Sequence, residues 1–455
     1  MAHVVVVGGG ITGLAAAFEL TQQAEPPAVT VLEASDRVGG KILTTSFEGR
    51  SIDAGADSVL ARVPWAVDLF RELGLGDDLI APATGRAFVW WRGALHAIPP
   101  GLVLGVPTGL PALARSGLLS WRGKGRAAVE PLLPHTDGDD DLGLTVRQRF
   151  GSEVYDRLVG PLVGSINAAD PARISLAATA PQLAEAVARH RSLLLGLRSP
   201  SRASAGPVFL TYPEGLGCVV ERLEARLRES GTDVRLASPA GIIERTAAGG
   251  YAVAGIDADA VVLTTPAAAA GASLASVAPE AAAGIARIRY ASVVMVTLAF
   301  PATAAGRLDG SGYLVPVAEQ RHVTACSWGS SKWPHWAPDD DHVVLRASLG
   351  RAGDEHVIEF DDGALVEATL ADLRRHLGVR GDPTAVRVTR WPRSFPQYEP
   401  GHLDRVAAIE AALPAGVVVA GAAYRGIGIA SCVRQGRAAA CAAMPDATGS
   451  AKLVG

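Results

Sequence analysis

The chain has 455 residues, 49% of them hydrophobic and 19% charged, which is ample for buried cores and suits about three domain-sized units. Its net charge is only −4, and the 42 basic residues include just four lysines, so the sequence carries no basic field of the kind nucleic acid requires. Four cysteines (Cys218, Cys326, Cys432, Cys441) without a CxxC pair and ten histidines without an HExxH spacing argue against a metal site and for reduced thiols in a cytoplasmic protein.

The chain is sheet-forming by residue 3, and no signal peptide is expected ahead of that strand. "HVVVVGGGITGLAAAFEL" reads as a strand apolar on both faces running into glycines and then a helix of small residues. The spacing Gly8, Gly10, Gly13 is that of a dinucleotide-binding turn: the first glycine for the bend, the second for close approach to a pyrophosphate, the third for helix-on-strand packing. A second strand, "AVTVLEA", ends in Glu33, twenty residues after Gly13, where an acid accepts from a ribose hydroxyl. Three glycines alone could mark a turn that binds nothing; strand, helix, second strand and acid in register argue for a nucleotide, with NAD and FAD both fitting.

Next, "AFVWWRGALHAIP" predicts a hairpin turning at Arg92 and Gly93. "LHAIPPGLVLGVPTGLPALARSGLL" is interrupted by Pro99, Pro100, Pro107 and Pro111 and is too broken to span a membrane; a core-facing helix pair is the first expectation, ahead of a pocket wall or a bilayer contact. Residues 100–198 are mainly helical, broken by the acidic stretch "PHTDGDDDLG", expected as a solvated loop, and closed by the joint "SPSRASAGP". "TYPEGLGCVVERLEARL" predicts an amphipathic helix, and the following stretch successive strands turning at Gly249 and Gly250, the last being buried Ala260 to Leu263. Strands such as "HVVLRASLG" then mix with helices such as "GALVEATLADLRRHL". Finally "GVVVAGAAYRGIGIASCVRQGRAAA" repeats strand, glycine turn and small-residue helix. With no room left for a further strand and acid, this turn is expected to face the same cofactor from the other side, which suits FAD better than NAD.

At this point the sequence resembles a known family. "EASDRVGGKI" is similar to the second glycine pair of flavin-containing amine oxidases. "LLSWRGKGRAAVEPLLP", "LTVRQRFGSEVYDRLVGPLVGSINAADPARISL", "LRASLGRAGDE", "RWPRSFPQYEPGHLDRV" and "GAAYRGIGIASCVRQG" resemble, in order and over nearly the whole chain, the FAD-dependent porphyrinogen oxidases of haem synthesis. The implied architecture is α/β and α+β: a discontinuous Rossmann-like FAD-binding domain (1–60, 205–268, 391–455), a mixed-sheet substrate domain (61–98, 269–390) and a mainly helical insert (99–204). The resemblance assigns Gly8, Gly9, Gly10, Ile11, Thr12 and Gly13 to the pyrophosphate, Glu33 with Ala34 to the adenosine ribose, and Val234 to a backbone contact with adenine. Gly40 and Lys41 match the turn beside the diphosphate and flavin, and Gly55, Ala56, Asp57 and Ser58 a loop over the isoalloxazine. Trp391 matches an aromatic near the flavin, and Ile427, Gly428 and Ile429 the turn at the ring's pyrimidine side. The substrate-binding candidates are Arg62, as partner of a propionate, Asn167 and Ser348.

Some positions depart from the family: Asn167 stands where relatives often have an aromatic, Glu214–Gly215 where they often have two glycines, and Ser348 where a relative has tyrosine. Without the resemblance, Trp391 reads equally as a core aromatic, Lys41 as a solvated surface lysine, Arg62 as a helix-flanking charge, and Asn167 with Asp170 as the start of a turn at Pro171. The activity implied is oxidation of coproporphyrinogen III, with protoporphyrinogen IX as the alternative substrate, oxygen as electron acceptor and peroxide as by-product. Peripheral membrane contact and transfer of product to a ferrochelatase are the further partnerships to be considered. An amine oxidase or desaturase, or a non-catalytic flavoprotein carrying a tetrapyrrole, are the rival classes.

Overall fold

Val4, Val5, Val6 and Val7 form the buried centre of a five-stranded parallel sheet in the computed structural model, which describes residues 1–134, 140–197, 206–306, 308–339 and 341–444. The strand order is Asp233–Arg235, Ala28–Leu32, His3–Val7, Ala260–Leu263, Val417–Val419. Because side chains alternate along a strand, Val4 and Val6 pack under the helices Ile11–Thr21, Gly217–Glu229 and Ile429–Ala443, while Val5 and Val7 face a second layer. That layer comprises the antiparallel strands Tyr251–Val253 and Ile256–Ala258 and the helices Ala267–Leu274, Pro279–Ala286 and His402–Ala411. Both faces are therefore covered, as a parallel sheet of continuous valines requires.

A seven-stranded mixed sheet forms the second unit, in the order Ala385–Pro396, Tyr290–Pro301, His342–Leu349, Val323–Trp328, Gly312–Leu314, Phe88–Trp91, Ala94–Ala97. The boundary expected between residues 390 and 391 falls inside its first strand. One face packs Val294, Val296, Leu298, Leu345 and Ala347 beneath the helix Asp362–Leu377. The other carries Val293, Met295 and Thr297, in register with Trp391, Ser348 and Arg346 respectively. That second face positions the site.

The helices Leu142–Phe150, Gly160–Asn167, Pro181–Arg189 and their neighbours share a separate apolar core. The helix pair expected around 95–119 is instead a strand, a short hairpin (Leu102–Val103 with Val106–Pro107) and one helix, Leu110–Arg115. Leu104 and Gly105 take φ of 49° and 84°, so the chain reverses where a helix would continue, and the prolines withhold the amide donors a helix needs. Residues 135–139 of the acidic stretch, 198–205 of the joint and the tail 445–455 lie outside the described residues. Asp140, expected in a solvated loop, is half-buried and accepts from Ser175 Oγ and from the Ala177 and Gly401 amides, each at 2.8 Å. It ties the helical unit to the turn before His402–Ala411.

Candidate active site

Three glycines after the first strand do three different things. Gly8 takes φ +104°, and a Cβ there would stand 2.9 Å from Thr264 Oγ1. A Cβ on Gly13 would overlap the Gly8 carbonyl oxygen, so only glycine lets the helix begin this close to the strand. Gly10 has ordinary extended backbone (φ −71°, ψ 174°) and nothing within 4 Å of where its Cβ would be. It caps the helix without a side-chain bond, and the first amide bonded within the helix is that of Leu14. The amides of Ile11, Thr12 and Gly13 are left at a positive helix end beside open space.

Glu33 closes one side of this turn. Its Oε2 accepts from the Gly9 amide at 2.7 Å, and its Oε1 from the amide and hydroxyl of Ser35 at 2.8 Å. Ala34 is exposed beside it. Val234 lies on the edge strand; the Glu33 amide donates to Arg235 O, so by alternation the N–H and C=O of Val234 point away from the sheet.

A second helix start converges on the same space. A Cβ on Gly436 would overlap Thr12 O, so the helix Ile429–Ala443 crosses the first helix at backbone contact. Its cap, Gly428, again has no side-chain bond and open space at its Cβ position, with Ile427 and Ile429 on either side. Gln435 braces this turn, accepting from the Arg425 amide at 3.1 Å and donating to Gly426 O at 3.3 Å. Gly40, at φ +56°, puts its Cβ position 3.4 Å from Gly10 Cα. Lys41 is exposed at the surface, yet the protein around its ammonium desolvates it and pushes its pKa down, while the nearby Cys432 thiol acts the other way. Two unshielded helix starts and a desolvated cation suit a diphosphate-bearing cofactor.

The loop from Gly55 to Ser58 is clamped from below. Gly55 lies against Lys41 O and the Trp391 ring, and the Trp391 indole donates to Ala54 O at 3.1 Å. Arg346 donates to Asp53 O at 2.7 Å, to Gly55 O at 3.2 Å and to Asp57 Oδ2 at 2.7 Å, while Lys332 Nζ lies 3.3 Å from Asp57. Burial would raise the Asp57 pKa, but Lys332 and Arg346 together outweigh it and hold the carboxyl well below its usual range. Asp53 behaves oppositely: burial pushes it up to about 6, against bonds from Thr44 and the Leu216 amide. Asp57 and Ser58 are held by this network, while Ala56 is exposed. Sequence reasoning assigned no role to Arg346, Lys332 or Asp53; the available signal was a charged residue inside the apolar strand "HVVLRASL".

On the same sheet face, Val293, Met295 and Ser348 form the floor of a cleft of about 430 Å³ including its mouth. The opposite wall is the helix Gly160–Asn167 and the residues following it, and Val317, Gln320, Thr324, Gly350, Arg351 and Phe395 complete the lining. Val293 pairs with Trp391, so the floor adjoins the loop that Trp391 clamps. Of the substrate-binding candidates, Ser348 lines the cleft and its hydroxyl lies 3.1 Å from Met295 Sδ. Asn167 turns its amide back to Val163 O at 2.8 Å, and its neighbours Ala168 and Ala169 line the cleft instead. Arg62 is exposed, past the short strand Val59–Leu60 that pairs with Phe209–Leu210, and is outside the lining. Sequence reasoning passed over Arg351, although it lies in the quoted block "LRASLGRAGDE".

The sequence matches the model of the flavin containing amine oxidoreductases over residues 11–444. The chain belongs to this family. It is a flavin oxidoreductase. It is 37% identical to a coproporphyrinogen III oxidase of Bacillus subtilis, covering 96% of this chain and 97% of the relative. It is 31% identical to a coproporphyrinogen III oxidase of Staphylococcus aureus over 96% and 98% of the two chains. The crystal structure of a candidate protoporphyrinogen oxidase from Exiguobacterium sp. 255-15 superposes with a TM-score of 0.84 at 33% identity, covering 96% of this chain and 98% of that one. Among the described residues no helix is long and apolar enough to cross a membrane, and no group of acidic, histidine and cysteine side chains is arranged to hold a metal.

Proposed function

We propose that this protein oxidises coproporphyrinogen III to coproporphyrin III in haem synthesis, with FAD as cofactor and molecular oxygen as the acceptor released as peroxide. The observation that carries the reading is near full-length identity of 37% and 31% to two coproporphyrinogen III oxidases, in a chain whose glycine turns suit a dinucleotide. The amides beyond Gly10 would hold the pyrophosphate, Glu33 the ribose, and the Val234 backbone the adenine. Gly40, Lys41, the loop Gly55, Ala56, Asp57, Ser58, Trp391 and the turn Ile427, Gly428, Ile429 would border the flavin end. When bound, FAD supplies a hydride acceptor for a carbon bridge of the macrocycle.

The protein's contribution is then positional. Val293, Met295, Ala168 and Phe395 offer an apolar surface that excludes water from the macrocycle, beside Trp391 and the clamped loop. None of the described residues lining the cleft is a carboxylate, imidazole, thiol, phenol or amine. The pyrrole proton therefore leaves to solvent on this reading, without a protein base in the cleft. The product would be the substrate of an iron-inserting chelatase.

The test supplies the purified holoprotein in air with coproporphyrinogen III or protoporphyrinogen IX and follows porphyrin fluorescence and peroxide. A higher kcat/KM for coproporphyrinogen III is expected. Preference for protoporphyrinogen IX moves the enzyme to the later substrate, and oxidation of neither by a flavin-loaded protein overturns the reading.

A further inference from the structure

We propose that Arg351 is the carboxylate anchor of the cleft: it binds one propionate of the porphyrinogen and makes the cleft select for an anionic substrate. The proposal rests on the function proposed above and names the residue that gives it specificity. Among the described residues lining the cleft, Arg351 is the only ionisable side chain. Around it are apolar walls and the neutral polar groups of Ser165, Gln320, Thr324 and Ser348. With no carboxylate among the described residues of the lining, and only the long 3.8 Å ion pair to Asp354 outside it, this guanidinium attracts a carboxylate on an apolar body and repels an ammonium, so the cleft disfavours the amines for which the family is named.

The geometry of Arg351 is that of a prepared group. Gly350, at φ +86°, turns the chain out of the strand His342–Leu349, and a Cβ there would stand 2.9 Å from Ser292 O, so the next residue is delivered beside the cleft floor. Arg351 Nε donates to Gln320 Oε1 and Nη1 to Ala352 O, both at 3.0 Å. The Ala352 amide in turn donates to Ala168 O at 2.9 Å, which fixes this backbone to the opposite wall. The side chain is 17% exposed, dry enough to strengthen a charge-assisted bond and open enough to be reached. Nη2 lies 3.8 Å from Asp354 Oδ2, too far for a direct hydrogen bond, and Asp354 is itself bonded to His356 Nδ1 at 2.8 Å. Two guanidinium nitrogens are thus held in place, and the third is left to receive a carboxylate.

The experiment measures KM and kcat of the flavin-loaded wild type, Arg351→Gln, Arg351→Lys and Arg62→Ala with coproporphyrinogen III and protoporphyrinogen IX. Arg351→Gln should raise KM for coproporphyrinogen III about ten- to hundredfold, the loss of one charged hydrogen bond, with kcat retained. Arg351→Lys should recover part of the loss, since it keeps the charge without the planar fork. KM for protoporphyrinogen IX, which keeps two propionates, should rise as well. On the wild type alone, coproporphyrin III should inhibit and its tetramethyl ester should not, which keeps the test informative if a variant folds poorly. A wild type that oxidises neither porphyrinogen overturns both the function and the anchor. An active wild type overturns the anchor alone if Arg351→Gln leaves KM unchanged, if Arg62→Ala raises KM more, or if acid and ester inhibit equally.

Discussion

Substituting alanine at Gly10 and at Gly13 should give opposite phenotypes from the same added methyl group. At Gly13 the methyl would overlap Gly8 O and stand 2.7 Å from Thr264 Oγ1, whose hydroxyl already holds Val7 O and Gly8 O at 3.0 and 2.9 Å. Helix and strand would have to part by more than a bond can absorb, and overpacking of this kind costs about 1–3 kcal/mol. At Gly10 the methyl meets nothing within 4 Å, and the backbone is one alanine adopts freely. The flavin-free Gly10→Ala protein should be as stable as wild type or more so by about 0.4–1 kcal/mol, because its unfolded chain has fewer conformations to lose. That same methyl projects where the pyrophosphate would lie, so FAD affinity should fall by about 1–3 kcal/mol, or about ten- to hundredfold in Kd. Urea unfolding of the flavin-free proteins and FAD titration by quenching of flavin fluorescence separate the two effects. Undiminished FAD affinity in Gly10→Ala would refute the placement of the cofactor at this helix start, and undiminished stability in Gly13→Ala would refute the packing argument.

The clamp and its acids yield three further expectations. Arg346→Met leaves the buried Asp57 carboxylate with Lys332 as its one cation and the Ser58 hydroxyl, and should cost about 3–5 kcal/mol in chemical unfolding; a loss under about 1 kcal/mol would show the clamp to be idle. Asp53, raised to about 6 by burial, has a folded pKa above the unfolded value of about 3.9, so its contribution to stability is full below pH of about 4 and is lost as the pH rises through 6. Relative to wild type, Asp53→Asn should therefore gain about 3 kcal/mol on going from acid to neutral pH, and a pH-independent difference would contradict this. Trp391→Phe removes the indole bond to Ala54 O, and should cost about 1 kcal/mol and shift the visible flavin spectrum; an unchanged spectrum would place the indole away from the ring.

Much of the cofactor half was legible because its determinants are local. Buried strands announce themselves as valine runs, and Gly8 and Gly13 are imposed within a few residues, by the bend after the strand and by the helix starting against the Gly8 carbonyl. The hairpin at Arg92 and Gly93 was legible for the same reason, with both residues in the left-handed region. The stretch 95–119 was misread because apolar content alone does not separate a helix from a hairpin, and the reversal at Leu104 and Gly105 decides between them.

By itself, then, the sequence determined the strand, glycine turn, helix and second strand from His3 to Leu32, whose residues lie close together, and the family, whose blocks follow one another in order along the chain. Only the tertiary structure decided which charges serve the site. Arg346 reaches Asp57 across a separation of 289 positions because period-two alternation sends it, with Ser348, to the sheet face opposite the helix Asp362–Leu377. Arg351 lines the cleft and Arg62 does not, although both follow a turn or strand end and look alike as isolated cations in the sequence. The partners of a long charged side chain are set by which strands lie side by side, and that pairing joins segments far apart in the chain.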